Sequence, residues 1–133
     1  VVRTHATKQR RAATSIFYML RARDVSTWHL VKSDEIWMYH AGSSAVQLLL
    51  LPDGTFEERV IGPDVLSGEF PQSLIPAWTW QSTVLTDRSE ESWGLFGAVV
   101  CPGFEFEDYM EGRTEELVKR YPDAEARIRE LGL

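Results

Sequence analysis

Cysteine is nearly absent from this chain, long apolar runs are missing, and basic charge is outweighed by acidic. One cysteine, Cys101, in 133 residues excludes an intramolecular disulfide and any zinc knuckle built from thiolates, and it fits a reducing, cytoplasmic setting. The longest largely apolar run, "VQLLLL", is far too short for a bilayer-spanning helix, and no leader-like segment precedes a small-residue cleavage site. Twenty acidic against fourteen basic residues, a net charge of −6, speak against nucleic acid or an anionic membrane as a partner. The short basic cluster Lys8, Arg10 and Arg11 reads as a solvated loop. Repeats, low-complexity tracts and interdomain linkers are lacking as well.

What is present is ordinary for a globular protein: 44% apolar and 26% charged residues in a length that suits one domain. The chain starts at Val1 without methionine, inside a strand-like "VVRT", so residues upstream are expected. From Ala13 to Pro102 short β-rich runs alternate with turn residues, the pattern of an all-β sandwich or barrel. "TSIFYMLR" is the first clear run. "TWHLV" and "EIWMYH" flank the turn "KSD", and "AVQLLLL" and "TFEERVI" flank "PDG", where Asp53-Gly54 is a strong hairpin signal. "SLIPAWTWQSTVLT" and "WGLFGAVVCP" are expected to make a last pair across "DRSEES". After Pro102 the periodicity changes. Leu117, Tyr121, Ala124, Ile128 and Leu131 fall on one helical stripe, Thr114 is the expected N-cap, and Pro122 divides two helices. The expected plan is a single domain over 1–133, with a barrel to about residue 109 and a helical cap over about 113–131.

The stretch "WHLVKSDEIWMYHAG" concentrates the chemistry. Strand alternation puts His29 with Val31 on one face, and Glu35 with Trp37 and Tyr39 on one face. If "KSD" brings the two runs together, His29 and Glu35 meet in the interior, as ligands to a divalent ion or as an acid/base pair. His40 falls on the opposite parity and reads as a structural or interface residue; His5 reads as exposed. Tyr18, Trp37, Tyr39 and one of Trp78 or Trp80 could wall a pocket over Gln81. Aromatics at alternating positions are ordinarily core, but His29, Glu35 and Gln81 together imply an interior that is wet or occupied. Lys32, Gln72 and Trp80 complete the expected ligand contacts.

These motifs resemble those of the cupins. His29, Val31, Glu35 and Gly42 keep the spacing of the first cupin signature, and "PAWTWQSTVL" resembles the second, with Pro76 retained and Trp78, Gln81 and Leu85 replacing its Gly, His and Asn. The blocks "WHLVKSDEIW", "LLLLPDG", "GPD", "PAWTWQ" and "CPGFEFEDY" are similar to those of a small cupin group, cupin 5, of unassigned function. The likeness runs from about Ala13 to Tyr109. Members usually open with a Pro-Glu-Gly-Gly-Tyr-like segment; "VVRT" would be its tail, with Arg3 the matching arginine.

The resemblance implies a jelly-roll cupin barrel that binds a small molecule and pairs as a homodimer through strand edges and outer sheet faces, with "PGFEFEDY" as a structural clasp. Metal-dependent cupins hold their ion with three histidines and a glutamate. Here His29, Glu35 and Gln81 remain, and Val31 cannot ligate, which leaves a divalent ion as an alternative rather than the leading reading. The leading reading is a metal-independent epimerase or isomerase acting on a sugar-like molecule. His29 would be the base, Asp34 or Glu35 its orienting carboxylate, and Tyr18 or Tyr39 the acid. A non-catalytic binder, or a metal-dependent dioxygenase or isomerase using His29, Glu35 and Gln81, are the alternatives.

Overall fold

A computed structural model describes residues 10–132, so Arg3, His5, Lys8 and the strand-like "VVRT" lie outside the described residues. Among the described residues nine strands follow in chain order: β1 (Thr14–Arg21), β2 (Val25–Val31), β3 (Asp34–Gly42), β4 (Ala45–Leu50), β5 (Phe56–Ile61), β6 (Gln72–Ile75), β7 (Thr79–Leu85), β8 (Trp93–Cys101) and β9 (Tyr109–Glu111). They form two antiparallel sheets, ordered β1-β8-β3-β6 and β5-β4-β7-β2-β9. This is the expected jelly-roll barrel. Helices α1 (Thr114–Arg120) and α2 (Glu125–Glu130) follow the strands.

Each strand alternates between a barrel-facing and an outward row. The facing rows enclose an apolar layer at one end of the barrel, built from Leu20, Trp37, Leu49, Ile61, Leu85 and Phe96. Outside the five-stranded sheet, Trp28, Leu30, Leu48, Leu50, Trp80 and Val84 meet the helical stripe of Leu117, Tyr121, Ala124, Ile128 and Leu131. Hydrogen bonds stitch that layer: the Trp28 indole donates to the Ile128 carbonyl at 3.2 Å, and the Tyr121 hydroxyl to the Leu51 carbonyl at 2.8 Å. Pro122 opens the 3-10 turn between the helices, as expected. Thr114, in contrast, is the first residue of α1; Arg113 holds the N-cap position without a side-chain hydrogen bond.

The β4–β5 hairpin follows the "PDG" signal. Gly54 takes φ 91°, and the Asp53 carboxylate accepts from the Thr55 backbone at 2.9 Å, which an Asx turn provides. Two pairings differ from expectation. "KSD" does not make a hairpin, because β2 pairs with β7 and β9 whereas β3 pairs with β6 and β8. "SLIPAWTWQSTVLT" is two strands in different sheets, and β8 pairs with β1 and β3 rather than β7. The break is at Pro76–Trp78, where the missing amide of proline and a left-handed Trp78 (φ 66°) turn the chain out of one sheet into the other.

Candidate functional site

Crossing between sheets, rather than pairing, brings the opening motif together. His29 lies on the inner face of β2 with Gln81 as its cross-strand partner, and Glu35 lies on the inner face of the opposing sheet. Both line a cavity of about 760 Å³ between the sheets, with Tyr18, Trp37, Phe104 and Tyr109 among its walls.

The His29 ring is oriented twice. Its Nδ1 lies 2.7 Å from the Thr27 carbonyl; a carbonyl only accepts, so the neutral ring carries its proton on Nδ1 and leaves Nε2 as the acceptor. Its face stacks on Tyr109, with centroids 5.5 Å apart and planes at 22°. Glu35 is buried and accepts from the Trp37 indole. Burial pushes its carboxyl above the usual carboxylate range, against the opposing pull of the Trp37 N–H, the electrostatic influence of the nearby His29 ring when it is protonated, and a hydrogen bond from Gln81. Gln81, 1% exposed, has a buried carbonyl oxygen with no partner among the described residues. Tyr18 lies on β1, on the wall opposite β2, with its ring 5.3 Å from Trp37.

Other expected residues fall elsewhere. Tyr39 shares the inner parity but lies farther along the barrel, packed on Phe96 with its hydroxyl donating to the Gly42 carbonyl at 2.8 Å; it does not line the cavity. Trp80 faces the helices, since Gln81 takes the inner side. Gln72 is exposed at the start of β6, paired with Met38, and Lys32 extends outward with its Nζ 5.3 Å from the Trp78 ring centroid. Asp34 accepts from the Ala77 amide at 2.8 Å, so Glu35 is the carboxylate associated with His29. His40, as its parity implied, sits outside against Phe17.

Sequence reasoning missed Tyr109, Phe104 and Arg11 as cavity residues. Tyr109 arrives because β9 adds to β2, placing it opposite Val31. Its hydroxyl is pushed above the ordinary tyrosine value by burial, with smaller contributions from Glu111 and Tyr18. The segment before it is clamped. Arg10 donates to the Gly103 carbonyl at 2.7 Å and 2.9 Å and pairs with Asp108, while the Phe104 amide donates to Thr14 Oγ1 at 2.9 Å. The basic cluster read as a solvated loop therefore supplies a clamp from Arg10 and a cavity residue from Arg11. Within "PGFEFEDY", Phe106–Asp108 form a 3-10 turn rather than continuing a strand.

The residues do not fit a cupin-type metal cage. Val31 lines the cavity where a second histidine would stand, Gln81 offers only a neutral amide, and among the described residues no three His, Cys, Asp or Glu side chains come together. Among the described residues no helix is long and apolar enough to cross a membrane.

Comparison with known proteins agrees with the fold. The chain is 29% identical over 112 residues to an uncharacterized protein of Saccharomyces cerevisiae, YML079W, covering 83% of this chain and 55% of the yeast protein, so it spans about half that relative's length. The solved structure of protein SO0799 from Shewanella oneidensis superposes with a TM-score of 0.86 at 31% identity, covering 98% of this chain and 80% of that one. A dTDP sugar isomerase from Desulfovibrio desulfuricans superposes with a TM-score of 0.66 over 91% of this chain and 76% of its own, but at 14% identity this likeness concerns the fold alone. Residues 1–111 match the family model described as Cupin superfamily (DUF985), and this chain belongs to that family.

Proposed function

We propose that the barrel binds a small, hydroxyl-bearing molecule and isomerises it without a metal ion. The observation that carries this reading is the placement of His29 and Tyr18 on opposite walls of one cavity, with Glu35 lining it from the same sheet as Tyr18. Inversion at a carbon next to a carbonyl needs a base on one face and a proton donor on the other. His29 Nε2 is the acceptor its tautomer leaves free, and Tyr18 is the phenol across from it. Glu35 stabilises the imidazolium that forms, and the aromatic walls exclude water.

Solvent deuterium wash-in, read by proton NMR on a panel of aldoses and ketoses, tests the proposal. Wild-type protein is expected to exchange the hydrogen next to the carbonyl. His29→Gln is expected to slow exchange by roughly 100-fold or more, the usual scale of a lost general base, while ligand-induced shifts persist. Loss of binding without any wild-type exchange would instead identify a non-catalytic binder.

A homodimer accompanies this reading. Phe17, Met19 and Leu74 are 78%, 57% and 52% exposed on the outer face of the four-stranded sheet, whereas helices cover the outer face of the other sheet. An exposed apolar face of this kind marks an interface. Light scattering is expected to give twice the chain mass, and Phe17→Glu to give the single-chain mass with the fold retained; a monomeric wild type would overturn the pairing. A cytoplasmic setting goes with the exposed free thiol of Cys101, which a reducing compartment preserves.

A further inference from the structure

The cavity has a chemical polarity along its depth. Its closed end presents acceptors: the Glu35 carboxyl and the His29 Nε2 left free by the Nδ1 contact to Thr27. Glu35 already accepts from the Trp37 indole and Gln81, and its carboxylate lone pairs together with His29 Nε2 can accept from ligand hydroxyls. The open end presents a cation. Arg11 is exposed and lines the cavity. Its neighbour Arg10 is occupied by Gly103 and Asp108, whereas the Arg11 guanidinium has no hydrogen bond or ion pair among the described residues. Between the two ends, Thr14, Ser26 and Thr27 contribute to the wall beside the aromatic rings.

From this polarity, and resting on the proposed ligand site, we infer that the cavity takes a small polyhydroxylated monoacid. Its carboxylate lies on Arg11 at the mouth, and its hydroxyls point toward Glu35 and His29. A guanidinium binds one carboxylate in a bidentate fork. Among the described residues that line the cavity Arg11 is the one permanent cation, and Glu35 brings an acid of its own. That balance suits a single negative charge and opposes the multiple charges of a nucleoside diphosphate. Trp37, Tyr18 and Tyr109 cover the carbon backbone of the ligand, as ring faces do in hydroxyl-rich sites.

The test titrates D-gluconate, D-glucose and uridine diphosphate into the isotope-labelled full chain, following the Trp37 indole and His29 ring resonances. Gluconate is expected to shift both, with glucose and the diphosphate at least about tenfold weaker, the scale of one charged hydrogen-bonded contact. Arg11→Gln, at an exposed position, is expected to weaken gluconate by about tenfold and to leave glucose unchanged. Glucose binding as tightly as gluconate, tighter binding of the diphosphate, or indifference of gluconate to Arg11→Gln would overturn the acid class and leave the ligand cavity standing. Failure of all three probes to move either resonance would overturn the acid class and the ligand site together.

Discussion

Trp28→Ala is expected to cost about 3–5 kcal/mol, the range for removing a buried large aromatic, and to release the helical cap. Trp28 is 1% exposed and lies where β2 meets the last helix, packed with Leu117, Ile128 and Leu131. Its loss opens a cavity under both helices and leaves the Ile128 carbonyl without its indole donor. Gly112 and Gly132 are fitted around this side chain, since a Cβ on Gly112 would lie 3.1 Å from the Trp28 Cβ and one on Gly132 3.2 Å from its Nε1. Urea denaturation followed by circular dichroism measures the loss. A change below about 1 kcal/mol, the scale of ordinary surface substitutions, would show that the helices do not depend on this anchor. Trp28→Phe separates packing from hydrogen bonding and is expected to cost about 1–2 kcal/mol.

Glu35→Gln is expected to stabilise the protein at neutral pH. Burial raises the Glu35 carboxyl in the folded state, so the native chain holds this proton to a higher pH than the unfolded chain does. Between the unfolded value, near 4.5, and the raised folded value, the native state binds more protons, and stability falls as pH rises through that window. Above the window the penalty is constant; below it the penalty vanishes. A glutamine keeps an acceptor for the Trp37 indole, and its amide can donate to the Gln81 carbonyl that otherwise lacks a partner. The gain at pH 7 is expected to be on the order of 1–2 kcal/mol, typical of relieving a functional-site burden, and to shrink as pH falls from the raised folded value toward about 4.5, where the wild-type carboxyl holds its proton in both states. Melting curves across pH on both proteins measure this. A variant less stable at pH 7 would mean that its hydrogen bonds make the carboxylate a net stabiliser.

The His29–Glu35 pair shows how much of the site the sequence carries. His29 and Glu35 were found from spacing, and their convergence was anticipated through a hairpin that does not exist. They meet because β2 and β3 enter opposing sheets, which gives the same inward parity by a different route. Tyr39 failed for a geometric reason: four residues along a strand from Glu35 is roughly 13 Å, so sharing a face does not mean sharing a cavity. Trp80 failed because parity fixes which residues alternate, not which face the helices cover. Tyr109 and Arg11 carry no local signal. Tyr109 reaches His29 through the β2–β9 pairing, and Arg11 reaches the mouth through contacts with Gly103, whose amide donates to its carbonyl at 2.9 Å.

The sequence by itself determined the strand-rich body, the Asp53-Gly54 hairpin, the two-helix stripe broken at Pro122, the barrel family and the His29–Glu35 pair. Each rests on local chemistry: side-chain periodicity, a glycine that tolerates positive φ, a proline without an amide proton, and motif spacing along a few residues. Tertiary structure alone decided which sheet each strand joins, which wall faces His29, and that Arg10, Arg11 and Tyr109 close the cavity. Those outcomes depend on hydrogen bonds and packing between segments from about thirty to nearly one hundred residues apart, and nothing in the local alternation of a strand specifies its distant partner.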